Sequence, residues 1–277
     1  MNYSADDEFF LNKQPPFSKN QVNKQGSLWR DGKEFDIAPI NQFIAFTASH
    51  VEELLAISRE SISSFIIELN PNEGPNIRPD SSAYLLSARV KTKDTLLEKL
   101  RRMEQTPLMN IQDVAGLRFD CDLSLTEQMA VAQSFANGFS AKGAKRVDIK
   151  DFRNNPHSGY RAVHLHIRAT AGRSEMQIRT ALQSKWANLY EEAADILGRD
   201  IRYLHEGAML PRGAEEVVRE LHRASALVAK VEELSDHETV GRFSEVRGLR
   251  KEVYGILEKI HTELIRRRGL ATSEKGE

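Results

Sequence analysis

The cations Arg89, Lys91, Lys93 and Lys99 fall within one short stretch of this chain. Spaced across a predicted strand and the helix after it, several of them can converge on one oligophosphate, whose negative charge must be met by bidentate Arg, by Lys or by a divalent cation. On charge alone the same stretch also reads as a solvated basic face. Two carboxylates make a second group, with Asp113 leading into one predicted strand and Glu175 at the start of another. If those strands are neighbours, the pair could share a Mg2+, which takes one or two carboxylates and fills its shell with water and phosphate. Otherwise Asp113 caps a turn, and Glu175 pairs with Arg168 or Arg179 across a hairpin.

A third group lies in the stretch His157 to Thr180, HSGYRAVHLHIRATAGRSEMQIRT. Tyr160 follows Ser158-Gly159, where a glycine lets the backbone turn and a ring can stand exposed beside cations as a nucleobase platform. A core tyrosine is the other reading. His164 and His166 share a strand face, but along the chain no cysteine or third well-spaced ligand accompanies them, nor does His157 supply one. They are therefore read as hydrogen-bonding groups and not as a zinc site.

These groups need elements to position them. Val163, Leu165, Ile167 and Ala169 alternate with His164, His166 and Arg168, which is the period of a half-buried strand. After Ala171-Gly172, Met176 and Ile178 alternate with Glu175, Gln177 and Arg179, so the stretch predicts a hairpin with one apolar and one polar face. Further strands are predicted at Ala83 to Lys91, Val114 to Cys121 and Arg146 to Ile149. Helices are predicted from Lys19, capped by Ser18, over Ile40 to Leu69, from Thr92 or Asp94 to about Met103, and over Thr126 to Ala141. Three more follow at Thr180 to Leu197, Ala214 to Ser235 and Phe243 to Arg267, before a frayed tail from Ala271. Gly26 is costly inside the first helix unless something packs against it. Residues 70 to 80, rich in proline, predict a loop.

The fold class expected is α/β (α+β), with a mixed central sheet of about five strands flanked by helices from both ends of the chain. The organisation expected is an N-terminal arm and helices over 1–80, a core over 81–200 and a helical extension over 201–277. With 277 residues, 40% of them hydrophobic and 29% charged, the composition is that of an ordinary globular chain. The net charge of −1 argues against a uniformly basic nucleic-acid coat, though not against a local patch. Cys121 is the only cysteine, which excludes an intrachain disulfide. No leader or long apolar run is present, so a cytoplasmic protein away from membranes is expected.

Four segments in order, ARVKTKDTLLEKLRR, IQDVAGLRF, GYRAVHLHI and EMQIRTALQSKWANL, resemble the synthetase domain of the RelA/SpoT-type alarmone synthetases. FSKNQVNKQG further resembles the opening helix of small single-domain members. The resemblance implies a nucleotidyltransferase-like fold and transfer of the β,γ-pyrophosphate of ATP to a ribose 3′-hydroxyl, with Mg2+ as cofactor. It implies that Arg89 and Arg118 stack on adenine and that Lys91, Lys93 and Lys99 bind phosphates. Asp113 would hold Mg2+, and Glu175 would be a second metal ligand or the base that activates the hydroxyl. Tyr160 would stack the acceptor base, while His164, Gln177 and Arg179 would line the acceptor side. No hydrolase motif is seen upstream, so the resemblance is to a stand-alone synthetase.

Two departures touch the acceptor. Pro156-His157-Ser158-Gly159-Tyr160 lacks the lysine and asparagine of the usual motif, and Tyr190-Glu191 replaces a Glu-His pair. ATP as donor is thus better supported than a guanosine nucleotide as acceptor. The alternatives are an adenosine nucleotide or the 3′ CCA end of tRNA, which would make the protein a toxin held by an antitoxin, with Lys19, Lys24, Arg30, Arg101, Arg102 and Arg266-Arg267-Arg268 as candidate tRNA contacts. A nucleotide- or RNA-binding module without activity is the reading from another class. The apolar stripes of the last two helices serve intramolecular packing or a homo-oligomer.

Overall fold

The computed structural model describes residues 9–65, 67–72, 74, 77, 83–199, 201, 214–236 and 243–273. Among them are six strands, β1 (Asn70–Pro71), β2 (Ala83–Val90), β3 (Ala115–Cys121), β4 (Arg146–Asp151), β5 (Val163–Arg168) and β6 (Arg173–Thr180). They form one mixed sheet in the order β1-β2-β3-β6-β5-β4. The pairs β1/β2 and β3/β6 are parallel and the others antiparallel. The mixed sheet flanked by helices is the expected fold class, with one strand more than expected. The addition is β1, which lies where a loop was predicted. Its pairing is nonlocal, continued by the Asn72 amide donating to the Tyr84 carbonyl at 2.8 Å, and Pro71 is tolerated because the strand is at an edge.

The period of two carries through the whole sheet. One face bears Leu86, Phe119, Ile178 and Val163 in one register row and Ala88, Leu117, Met176, Leu165 and Ile149 in the next. This face is covered by α2 (Ala38–Ser63) and α4 (Leu125–Ala141), whose Leu54, Ile57, Val131, Phe135 and Phe139 complete the core. Burying a side chain such as Phe135 contributes about 1.5–3 kcal/mol. Helix α4 starts on a capping box between Ser124 and Glu127. Helix α2 stops at Ser63, short of the predicted Leu69. Ser61, Ser63 and Ser64 turn their hydroxyls back onto the carbonyls of Ile57, Glu60 and Ser61, a competition that weakens a helix end. Phe65 then folds under the sheet, edge-on to Phe119 and Phe135.

A smaller core joins α1 (Lys19–Arg30) and α3 (Lys93–Arg102) to the first turn of α2. Ser18 and Thr92 cap α1 and α3 by accepting from Gln21 and Thr95 amides. The partner that Gly26 requires is Leu108: a β-carbon at Gly26 would come within 2.8 Å of the Leu108 β-carbon. The last core belongs to α5 (Ala181–Leu197), α6 (Glu215–Asp236) and α7 (Phe243–Ser273), packed through Trp186, Leu221, Val228, Val253 and Leu257. The tail expected to fray from Ala271 lies in part outside the described residues.

Candidate active site

The opposite face of the sheet holds the polar residues, again in register rows. Arg89, Gly116, Glu175, His166 and Asp148 form one row; Ser87, Arg118, Gln177, His164 and Lys150 form the next. Strands β3 and β6 are neighbours, so the adjacency on which a shared carboxylate site depends is present. Gly116 carries no side chain and sits between Arg89 and Glu175. With strands about 4.8 Å apart, these two residues flank an opening about 10 Å across.

On the β2 side, Asp113 binds both lysines. Lys91 Nζ donates to Asp113 Oδ2 at 2.9 Å and Lys99 Nζ to Oδ1 at 2.5 Å. Burial pushes the Asp113 carboxyl up, but Lys99 and Lys91 outweigh it and hold it below its ordinary value. Arg89 and Lys93 are exposed, and Arg118 is half-buried. None of the three side chains makes a hydrogen bond or ion pair among the described residues, so their donors are available to a ligand. Burial and the neighbouring Arg179 guanidinium lower the Arg118 pKa, and a guanidinium stays charged regardless.

On the β6 side, Glu175 is half-buried between imidazoles. His164 Nδ1 and His166 Nε2 each lie 3.5 Å from one of its oxygens, and Gln177 Nε2 donates to Oε1 at 3.1 Å. Burial pushes the Glu175 carboxyl up and Asp113 adds to this, yet His166, His164 and Gln177 together hold it below its ordinary value. Burial lowers the His164 pKa, which keeps that ring neutral near pH 7. Its Nε2 meets the Tyr160 hydroxyl at 2.9 Å.

Tyr160 is held by a tight two-residue turn. Ser158 and Gly159 have φ of 49° and 85°, His157 and Tyr160 form an antiparallel bridge, and the Tyr160 amide donates to the His157 carbonyl at 2.9 Å. Positive φ at both central positions matches the twist of a hairpin. The ring is half-buried, edge-on to His164 and against the C-terminal helical core. Burial raises its hydroxyl pKa, so it stays protonated.

Three expectations need correction. Arg179 does not offer a free guanidinium to an acceptor: Nε and Nη2 donate to Asp120 at 2.8 and 2.9 Å, and both side chains are only 1% exposed. Ser184 Oγ donates to the same carboxylate at 2.8 Å. Tyr190 lies off the polar rows of the sheet. It stacks on Trp186 and donates to the Ile201 carbonyl at 2.7 Å, inside the C-terminal core. The third, the missing third ligand for the histidines, is Glu175, brought from the adjacent strand; ligating atoms of His164, His166 and Glu175 all lie within 4.8 Å of one another. Among the described residues neither ion pair expected of Glu175 forms: Arg168 stands opposite Arg173, and Arg179 pairs with Asp120.

The donor set bears on the Mg2+ implied by the resemblance. Asp113 and Glu175 repel one another, which a divalent cation would relieve, but both Asp113 oxygens accept from ammonium groups. The residues thus fit Mg2+ where substrate phosphates take Lys91 and Lys99 over.

A mixed sheet with cations at one side of an opening and an ionised carboxylate at the other is the layout of a nucleotide pyrophosphotransferase. Comparison with known proteins agrees. Residues 88–195 match the model of the region found in RelA / SpoT proteins. The chain is 39% identical over 229 residues to the uncharacterized proteins Rv1366 of Mycobacterium tuberculosis and Mb1401 of Mycobacterium bovis, across 79% of this chain and 76% of each relative. It is also similar to the crystal structure of the small alarmone synthetase 1 from Bacillus subtilis, with a TM-score of 0.52 and 25% identity over 78% of this chain and 100% of that one. The chain belongs to the RelA/SpoT family.

Among the described residues no helix is long and apolar enough to cross a membrane.

Proposed function

We propose that the chain transfers the β,γ-pyrophosphate of ATP to the 3′-hydroxyl of a guanosine nucleotide, in the presence of Mg2+. The observation that carries this reading is the row Arg89-Gly116-Glu175, in which a phosphate-binding side and an acceptor side face one another across a residue without a side chain. Arg89 and Arg118 hold the adenine and Lys93 joins Lys91 and Lys99 on the phosphates. Asp113, once substrate phosphates draw Lys91 and Lys99 away, would hold Mg2+, whose charge would offset that of the phosphate oxygens. Tyr160 supports the acceptor base, with His164 and Gln177 beside it. The acceptor 3′-oxygen bonds to the β-phosphorus, the bond from that phosphorus to the α,β-bridging oxygen breaks, and AMP leaves with its charge met by the cations. The hydroxyl proton passes to Glu175 or, through it, to solvent. Alignment and electrostatics supply most of the rate. Held below its ordinary pKa, the Glu175 carboxylate is a weak base: it accepts the hydroxyl hydrogen bond and passes the proton on to solvent, and it would serve as a second ligand to the cation.

Label from β,γ-labelled ATP, offered in parallel to GDP, GTP, ADP and bulk tRNA, tests the reading. Label in a guanosine product supports it, and Asp113→Asn or Glu175→Gln should lower that transfer about 10²–10⁴-fold with the fold intact. Near-wild-type turnover in either variant sinks the assignment of these residues. The second reading, tRNA as acceptor, is favoured by the turn of exposed His157 and half-buried Ser158 that replaces the usual lysine and asparagine, and label in tRNA alone would select it.

A further inference from the structure

We propose that Gln112 is a positioning residue of the active site: its side-chain amide ties the turn that presents Asp113 to the start of the strand that presents Glu175, and so sets the separation of the two carboxylates. Gln112 and Asp113 are consecutive residues of a half-buried turn just ahead of β3. Gln112 Nε2 donates to the Ile167 carbonyl at 3.2 Å and to the Ser174 carbonyl. Ile167 of β5 and Ser174 of β6 face one another in the ladder, and Ser174 immediately precedes Glu175. The residue before one carboxylate thus holds the residue before the other. Because one nitrogen spans two paired strands, the turn is fixed against the sheet itself.

The two carboxylates need such a tie. Asp113 repels Glu175, and at rest this is offset by Lys91 and Lys99, which donate to both Asp113 oxygens. In turnover those lysines are the cations that phosphates recruit, so the ion pairs that hold Asp113 loosen when substrate arrives. Repulsion then favours movement of the turn away from β6. Gln112 is neutral and is not drawn to phosphate as an ammonium is, so its bonds to the two carbonyls persist. On the other side the turn is anchored by the Lys91 amide, which donates to the Val114 carbonyl at 2.9 Å, and by Ile111 and Val114, each 1% exposed in the smaller core. Toward β6, the other hydrogen bond of residues 108–113 among the described residues is a long one, 3.4 Å from Arg173 Nη1 to the Asn110 carbonyl. Gln112 therefore carries most of the constraint on that side. A displacement of about 1 Å can lower a rate about 100-fold. The role in turnover rests on the pyrophosphotransfer reading; the tie between the two carboxylates does not.

The test is Gln112→Met, which keeps the length of the side chain and removes the donor. At saturating ATP and acceptor, label transfer should fall about 10–100-fold with KM for the acceptor kept. Calorimetric affinity for Mg2+, measured with a non-hydrolysable ATP analogue bound, should weaken about 10-fold, while the analogue alone binds as in wild type. In an Asp113→Asn background the same substitution should add little, because the charge it positions is gone. Equal losses in both backgrounds mean a purely structural role and overturn the proposal, as do a rate and a Mg2+ affinity that match wild type. Should Gln112→Met not fold, Gln112→Asn, whose amide falls one methylene short of the two carbonyls, is expected to show the same losses and is judged by the same cycle. Wild-type protein that transfers label to no acceptor overturns the pyrophosphotransfer reading, and the Mg2+ affinities then decide the tie: weaker in Gln112→Met upholds it, equal overturns it. Wild-type protein that takes up no Mg2+ with the analogue overturns it as well.

Discussion

Arg179 illustrates how a side chain on the polar face can serve the site without touching a ligand. Its guanidinium and Asp120 are both removed from water, and a buried ion pair is worth most when considered as something that cannot be halved. Arg179→Met should leave Asp120 as an uncompensated buried charge and cost about 3–5 kcal/mol of stability, read from denaturant unfolding. A direct acceptor contact would instead raise KM for the acceptor at unchanged stability. The sequence placed Arg179 on the correct face of β6 because alternation sets the face. It could not show the partner, since Asp120 comes from β3 and the choice between a ligand and an internal carboxylate is made by tertiary contact. The same limit hid Glu175 as the third neighbour of His164 and His166. A search for ligands along one strand misses a carboxylate supplied across the ladder, although pairing the two halves of the predicted hairpin would have found it.

At the scale of elements, the turn between β4 and β5 carries the greatest demand on residue type. Gly159 has φ of 85°, and a β-carbon there would lie 2.9 Å from Trp186 Cζ2. Gly159→Ala is expected to cost about 1–3 kcal/mol and to displace Tyr160. In steady-state kinetics with the acceptor varied, KM should rise while ATP binding, measured by calorimetry, is kept; equal loss of both would mean general collapse. The glycine was legible as a turn residue, and the strands and most helices were legible from their periods and caps. The end of α2 and the short β1 were not. In the first case serine hydroxyls compete for carbonyls at a point where the apolar pattern continues, and in the second the strand consists of a contact distant in sequence.

Across the whole molecule, the three C-terminal helices do more than pack on one another. Ser225 of α6 donates to the Gly159 carbonyl at 2.5 Å and accepts from Arg161 Nε at 3.2 Å, so they hold the tyrosine turn from outside the sheet. The same junction buries Glu232 against Thr180 and Gln183 at the start of α5. Burial raises its pKa to about 7 from 4.5, so the protein binds this proton more tightly when folded. Its contribution is complete below about pH 4.5 and is lost as pH rises towards 7. His50 acts in the opposite sense. Both its ring nitrogens are buried without a hydrogen-bond partner, and burial holds its pKa at about 4 against 6.5. Unfolded chains take up that proton first, so stability falls as pH drops from about 6.5 towards 4. The two slopes oppose one another over the range they share. Urea unfolding between pH 4.5 and 7 should reveal each by removing the other: His50→Leu should leave stability falling with pH, and Glu232→Gln should leave it rising.

The parallel pairing of β3 with β6 has a consequence for synthesis of the chain. Between these strands the polypeptide makes α4, β4 and β5, so Asp113 and Glu175 are joined only when β6 inserts into the middle of the sheet. Parallel neighbours closed over such a distance form late, because the loop entropy must be spent before the pairing returns it. A nascent chain that displays Arg89, Lys91, Lys99 and Asp113 on the ribosome therefore has cations for ATP but no opposing carboxylate. Until β6 has closed the sheet, the enzyme proposed here lacks the carboxylate that faces those cations.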